Sequence, residues 1–139
     1  MPPTVFADTF YWLALARPRD SGHAAARSWA AANASTTLVT TDEVLTEFLN
    51  ALAGAEPAGR AYAAATVHDI RNDPQAVVLP PTRADFDAAL ALFEARPDKG
   101  YSLTDCRSML VMKSLNLTEA LTSDHHFTQE GFTILFPTP

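Results

Sequence analysis

One cysteine, five glycines and two lysines are the scarce residues of this 139-residue chain. A lone Cys106 rules out an internal disulfide and any cysteine-based zinc cluster. The glycines stand at 22, 54, 59, 100 and 131, in no G-x-G-x-x-G or P-loop spacing. Cradles for dinucleotides and nucleoside triphosphates therefore have little support. A G-x-S-x-G elbow is also missing, which weakens a serine hydrolase. Lys99 and Lys113 are the only lysines, beside eight arginines, and there is no basic tail or run. With a formal net charge of -6, the chain does not read as a coat for nucleic acid. No apolar stretch of about 18 residues is present to span a membrane. The start M-P-P-T-V-F lacks the basic region and apolar core of a signal peptide, so the expected compartment is the cytosol.

What the chain does have is an apolar fraction of 47%, abundant alanine and ten prolines. This length and composition suit one folded domain, residues 1–139, with helices that stop firmly. Thr4 to Ala7 reads as a buried first strand, followed by a very apolar helix from Phe10 to Ala16. A second helix runs from His23 to Ala34, anchored by Trp29, and Leu38–Val39 mark the second strand. Thr40 and Glu43 suggest a capping box for a helix burying Val44, Leu45, Phe48, Leu49 and Leu52. A helix from Gly59 to Arg71 would pack through Tyr62, Val67 and Ile70. Ala76 to Leu79 is the third strand. Thr82 and Asp85 suggest another box, before a helix packing through Phe86, Ala89, Leu90 and Phe93. The run Leu103 to Leu115 is helical, with Met109 and Met112 in the core. Glu119 to Thr122 and Thr133 to Phe136 are the last two strands. Strands alternating with helices predict an α/β three-layer sandwich around a central, mostly parallel five-stranded sheet.

Four acids fall where such a sheet places ligands, just beyond the carboxyl ends of strands or in first turns of helices. Asp8 follows the first strand, and Asp124 follows the fourth. Asp105 lies in the first turn after Ser102, and Glu47 borders the apolar face of its helix. Three of them have an ordinary structural reading as well. Ser102 with Asp105 fits a capping box, and Asp8 or Asp124 fits an N-cap. As a set, the carboxylates are hard oxygen donors suited to Mg²⁺ or Mn²⁺. Such an ion lowers the pKa of a bound water and orients a phosphodiester. The adjacent His125 and His126 cannot both face one site from a helix, and they make no zinc cluster. Glu43 reads as a solvent-facing cap, and Asp42 and Asp85 as outside the acidic set.

With these residues in place, the sequence resembles the PIN-domain family, in particular the VapC-type toxins of bacterial toxin–antitoxin pairs. V-F-A-D-T resembles the first motif, with Asp8. V-L-T-E-F-L-N resembles the second, with Glu47. S-L-T-D-C-R-S resembles the third, with Asp105, and T-S-D-H-H-F the segment with Asp124. The resemblance implies a metal-dependent endoribonuclease, commonly dimeric and held in check by a cognate antitoxin. It places Asp8, Glu47, Asp105 and Asp124 at the catalytic centre, with Mg²⁺ or Mn²⁺ on Asp8, Asp105 and Asp124. Glu47 and Asp98 are further candidate ligands, and Thr9, Ser102 and Ser123 candidate supporting hydroxyls.

Two other classes stay open. A non-catalytic interaction module would keep the fold, and a solitary RNA-processing nuclease would keep the chemistry. A phosphatase is disfavoured, because Asp8 lacks a second nearby aspartate. The consecutive Phe10, Tyr11, Trp12 and Leu13 exceed what one helix face buries, so part of this segment, with Arg17 and Arg19, is expected at a second subunit or antitoxin helix. Asp8 and Asp124 are expected on neighbouring strands.

Overall fold

A computed structural model describes residues 3–138. Five strands form one sheet: β1 Thr4–Ala7, β2 Thr37–Thr41, β3 Ala76–Leu79, β4 Glu119–Leu121 and β5 Thr133–Ile134. Their order is β3-β2-β1-β4-β5, and every ladder is parallel. The helices are α1 Thr9–Ala16, α2 His23–Ala32, α3 Asp42–Ala51, α4 Pro57–Asn72, α5 Arg83–Ala95, α6 Leu103–Ser114 and α7 His125–Gln129. Parallel strands need crossovers, and helices supply all of them.

The chain winds outward from β1 in both directions. Strands β2 and β3 extend to one side, and β4 and β5 to the other. Helix α1 packs against α2 and α3, and α3 against α4, while α5, α6 and α7 pack as a second group. The reversal of direction falls between β1 and β4. Open α/β sheets form their ligand crevice at such a switch point, beyond the carboxyl ends of the strands. Phe6 is in register with Ala120, and Ala7 with Leu121. The residues that follow, Asp8 and Asp124, therefore emerge at one end of the sheet, as their apolar strands led us to expect.

The core explains why these strands lack alternation. Phe6, Ala7, Ala120 and Leu121 are all fully buried, because helices cover both sheet faces. Cys106, Met109 and Met112 complete the core from α6. Helix α1 is apolar all round and is buried accordingly. Tyr11 and Trp12 lie inside this chain, with Tyr11 edge-on to Trp29 at 5.7 Å. The part of the segment left for a second subunit or antitoxin helix is therefore Phe10 and Leu13, followed by Arg17 and Arg19. Phe10 and Leu13 are half-buried, and Arg19 is exposed.

Several local expectations are also revised. Thr41, not Thr40, caps α3 by accepting from the Val44 amide. The Thr40 hydroxyl instead donates to the Ala7 carbonyl and ties β2 to β1. Thr82 accepts from the Asp85 amide, but the Asp85 carboxylate turns to Arg107 at 3.3 Å. Arg107 also donates to Glu43 at 2.9 Å and to the Pro80 carbonyl. Glu43 is thus half-buried and ion-paired rather than a solvent-facing cap. On α5, Phe86, Leu90 and Phe93 face outward, and so do Tyr62 on α4 and Leu49 on α3. Their spacing defines a face without saying which face is covered. Among the described residues, no helix is long and apolar enough to cross a membrane.

Candidate metal centre

Asp8 follows β1 directly and is buried. Its Oδ2 accepts a 2.8 Å hydrogen bond from the Thr122 hydroxyl at the end of β4. Burial pushes its carboxyl up to about 7, and the nearby charges of Asp105 and Glu47 push the same way, against the Thr122 bond. Thr122 has a second duty. Its oxygen accepts the Asp124 amide at 3.1 Å, so one side chain links two of the acids. Neither role was foreseen for Thr122; the hydroxyls singled out were Thr9, Ser102 and Ser123.

Of those three, Thr9 donates to Glu47 Oε1 at 2.6 Å and joins α1 to α3. Ser102 caps α6 in a full capping box: its oxygen accepts the Asp105 amide, and Asp105 Oδ2 accepts the Ser102 amide. Asp105 is therefore a cap that also belongs to a group of converging donor atoms, and the two readings of the sequence are compatible. Its carboxyl is raised by burial and by the charge of Asp124, with the Ser102 bonds and His126 opposing. Ser123 lines a cleft beside the site. Asp98 pairs with Lys99 at 3.9 Å and is largely exposed, outside the convergent donors.

Asp124 caps α7 by accepting the His126 amide at 2.9 Å. This cap turns His126 back toward the acids. Its Nδ1 lies 3.3 Å from Asp124 Oδ1 and 3.6 Å from Asp105 Oδ2. That nitrogen is buried and without a hydrogen-bond partner. One donor atom each from Asp105, Asp124 and His126 falls within 4.8 Å of the others. His125, next in sequence, is exposed. The exclusion of both histidines from one site holds, but it does not exclude one of them. The edge of the Tyr101 ring holds the imidazole at 5.3 Å. Beneath it, Tyr101 donates to Glu130, which Arg96 and Lys113 also bind.

Two carboxylates, an unpaired buried imidazole nitrogen and a third, protonation-prone carboxylate fit a divalent cation. The oxygens suit Mg²⁺ or Mn²⁺, and the nitrogen donor favours a transition ion. Among the described residues, no cation neutralises Asp8, which distinguishes this cluster from the Arg107 and Glu130 networks.

Known proteins share this fold. VapC20 of Mycobacterium tuberculosis, a toxin that cleaves the sarcin–ricin loop, superposes with a TM-score of 0.81 at 26% identity, over 93% of this chain and 96% of that one. FitAcB from Neisseria gonorrhoeae shares the fold at a TM-score of 0.64 and 14% identity, over 96% and 97% of the two chains. A search of curated proteins gives no significant match. The model of the PIN domain matches residues 5–132, from the first strand to the edge of the last and across all four acids; the chain belongs to the PIN-domain family.

Proposed function

We propose that this protein is a Mg²⁺- or Mn²⁺-dependent endoribonuclease and the toxin of a toxin–antitoxin pair. One observation carries the proposal: the convergence of Asp105, Asp124 and the unpaired His126 Nδ1 beside the buried Asp8. The similarity to VapC20 supports RNA as the substrate class and a toxin as the biological role. Asp105, Asp124 and His126 would hold the ion, with Asp8 and Glu47 completing the acidic wall. When bound, the cation supplies an activated water and charge neutralisation at the scissile phosphate. Asp8, with its carboxyl near neutrality, is suited to take a proton at Oδ1, since Oδ2 is engaged by Thr122. No side chain need form a covalent bond to phosphorus.

The protein is proposed to work in the cytoplasm as a homodimer with a cognate antitoxin. The outward stripe of Phe86, Leu90 and Phe93, at i, i+4 and i+7 on α5, supports a self-association surface. The test is cleavage of single-stranded RNA by the purified protein across Mn²⁺ and Mg²⁺ titrations. Asp105→Asn should lose cleavage by at least about 100-fold while melting as a folded protein. Undiminished cleavage in excess EDTA would overturn the metal mechanism.

A further inference from the structure

A cleft of about 370 Å³ opens beside the acidic centre. It falls within the usual size of small-molecule sites, roughly 300–1,000 Å³. Phe10 and Phe136 form one aromatic side of it, their rings in tilted contact with centroids 5.6 Å apart and planes at 48°. Ser21, Ser123 and Thr138 bring hydroxyl-bearing side chains to it, and among the described residues no charged side chain lines it. Both rings are tied to the catalytic end of the sheet. Phe10 is two residues past Asp8. Ser123 sits between Thr122 and Asp124, about 3.8 Å from each along the Cα trace. The Phe136 amide donates to the Thr122 carbonyl at 3.2 Å, which fixes that ring to the segment holding Asp8 and Asp124.

The cleft depends on Gly22. A Cβ there would meet Phe10 Cζ at 2.8 Å and force the ring to move. The Gly22 amide donates to Asp20 Oδ1 at 2.8 Å, which holds the loop against the ring. Tyr11 supports Phe136 from the inside, nearly parallel at a centroid distance of 6.3 Å.

We propose that this cleft seats an unpaired nucleobase of the RNA, next to the phosphate that is cut. The proposal rests on the nuclease reading and adds where sequence preference arises. Aromatic faces with neutral hydroxyls suit a base, which stacks and hydrogen-bonds through its edges. The same lining is poor for a phosphate, which needs cationic or convergent N–H donors. It is equally poor for an acidic peptide.

The test uses a pool of single-stranded oligoribonucleotides of random sequence, cleaved in Mn²⁺ and sequenced at the new ends. Wild-type protein should show a base preference at one position flanking the cut. Phe136→Leu keeps the residue apolar but removes the stacking face. It should flatten that preference and raise KM about tenfold, with kcat changed little. Phe136→Trp should restore both. Ala25→Leu fills the cleft from an exposed position on α2 and should act like Phe136→Leu, independently of core packing. With the preferred sequence carrying an abasic ribose at that position, wild type should lose the same tenfold and Phe136→Leu should lose nothing more. Preserved preference and KM in both variants would overturn the base seat and leave the nuclease standing. So would losses from ring and base that simply multiply. A changed oligomeric state in Ala25→Leu with intact preference would put a protein chain in the cleft instead. Failure of the wild type to cut any RNA would remove the nuclease reading, and this proposal with it.

Discussion

Replacing Asp8 with Asn should stabilise the metal-free protein at alkaline pH while abolishing cleavage. In the folded state its carboxyl is pushed from 3.8 to about 7, chiefly by burial. Between those values the native protein holds a proton that the unfolded chain has released. Stability therefore falls as pH rises through this window and levels off above about 7. Three units correspond to roughly 4 kcal/mol, a ceiling on the strain that ionised Asp8 places on the empty site. Asn keeps the volume, and its oxygen can still accept from the Thr122 hydroxyl. At about 2.1 cal/mol/K of unfolding entropy per residue, that ceiling corresponds to roughly 10–15 °C in Tm for a chain of 139 residues.

The assay is a pair of melting curves, wild type and Asp8→Asn, in EDTA from pH 4 to pH 8.5. The Tm difference should be near zero at pH 4, open through pH 5 to 7, and then stay constant. Asp105 is also raised by burial and is present in both proteins, so the difference reports Asp8 together with its coupling to Asp105. With Mn²⁺ added, wild type should gain stability by binding in its native state, and the variant should gain less. A Tm difference that does not vary with pH, or a variant less stable than wild type at pH 8 in EDTA, would refute the account of Asp8 as a strained, cation-seeking carboxylate.

The remaining predictions are shorter. Thr122→Val removes the donor to Asp8 and the acceptor for the Asp124 amide; it should cost roughly 2 kcal/mol in denaturant melts and lower cleavage more than it lowers stability. His126→Ala should weaken Mn²⁺ more than Mg²⁺ in calorimetric titrations, because the nitrogen donor is lost and the oxygens remain; equal losses for both ions would take His126 out of the coordination shell. Arg107→Met leaves Glu43 in a part-buried place without its cation and should cost about 3 kcal/mol at pH 7, with wild-type affinity for Mn²⁺. At limiting metal, cleavage by the wild type should rise with pH up to about 7 and then flatten, because Asp8 must be ionised both to accept a proton and to attract the cation beside it.

The sheet and the positions of Asp8 and Asp124 were legible because they depend on local signals. An apolar run that stops on an acid marks the end of a buried parallel strand, and a 3.6-residue period marks a helix. What escaped depends on which distant residue meets which. Glu43 and Asp85 both occupy the third position after a threonine, and both suggested capping. Arg107 claims both carboxylates, from 64 and 22 residues away in the chain. Nothing in a local window distinguishes a carboxylate that returns to its own helix from one that crosses to an arginine. The outward Phe86 and Phe93 show the same limit, since a helical stripe is equally visible whether another element covers it or not.

The missed donor shows how little further the sequence had to be pressed. Asp124 reads as an N-cap, and an N-cap carboxylate accepts an amide two or three residues on. That bond draws the following residues around the acid. Here it is the His126 amide that is bonded, so the imidazole of His126 stands over Asp124 while His125 turns to solvent. A cap at Asp124 and a metal ligand at Asp124 are thus not rival readings. The cap is what brings the nitrogen donor to the acid, just as the Ser102 box is what aims Asp105 into the same space. In this protein the helix starts build the site: α6 presents Asp105, α7 presents Asp124 and His126, and the capping bonds that begin each helix fix the donor atoms before any cation arrives.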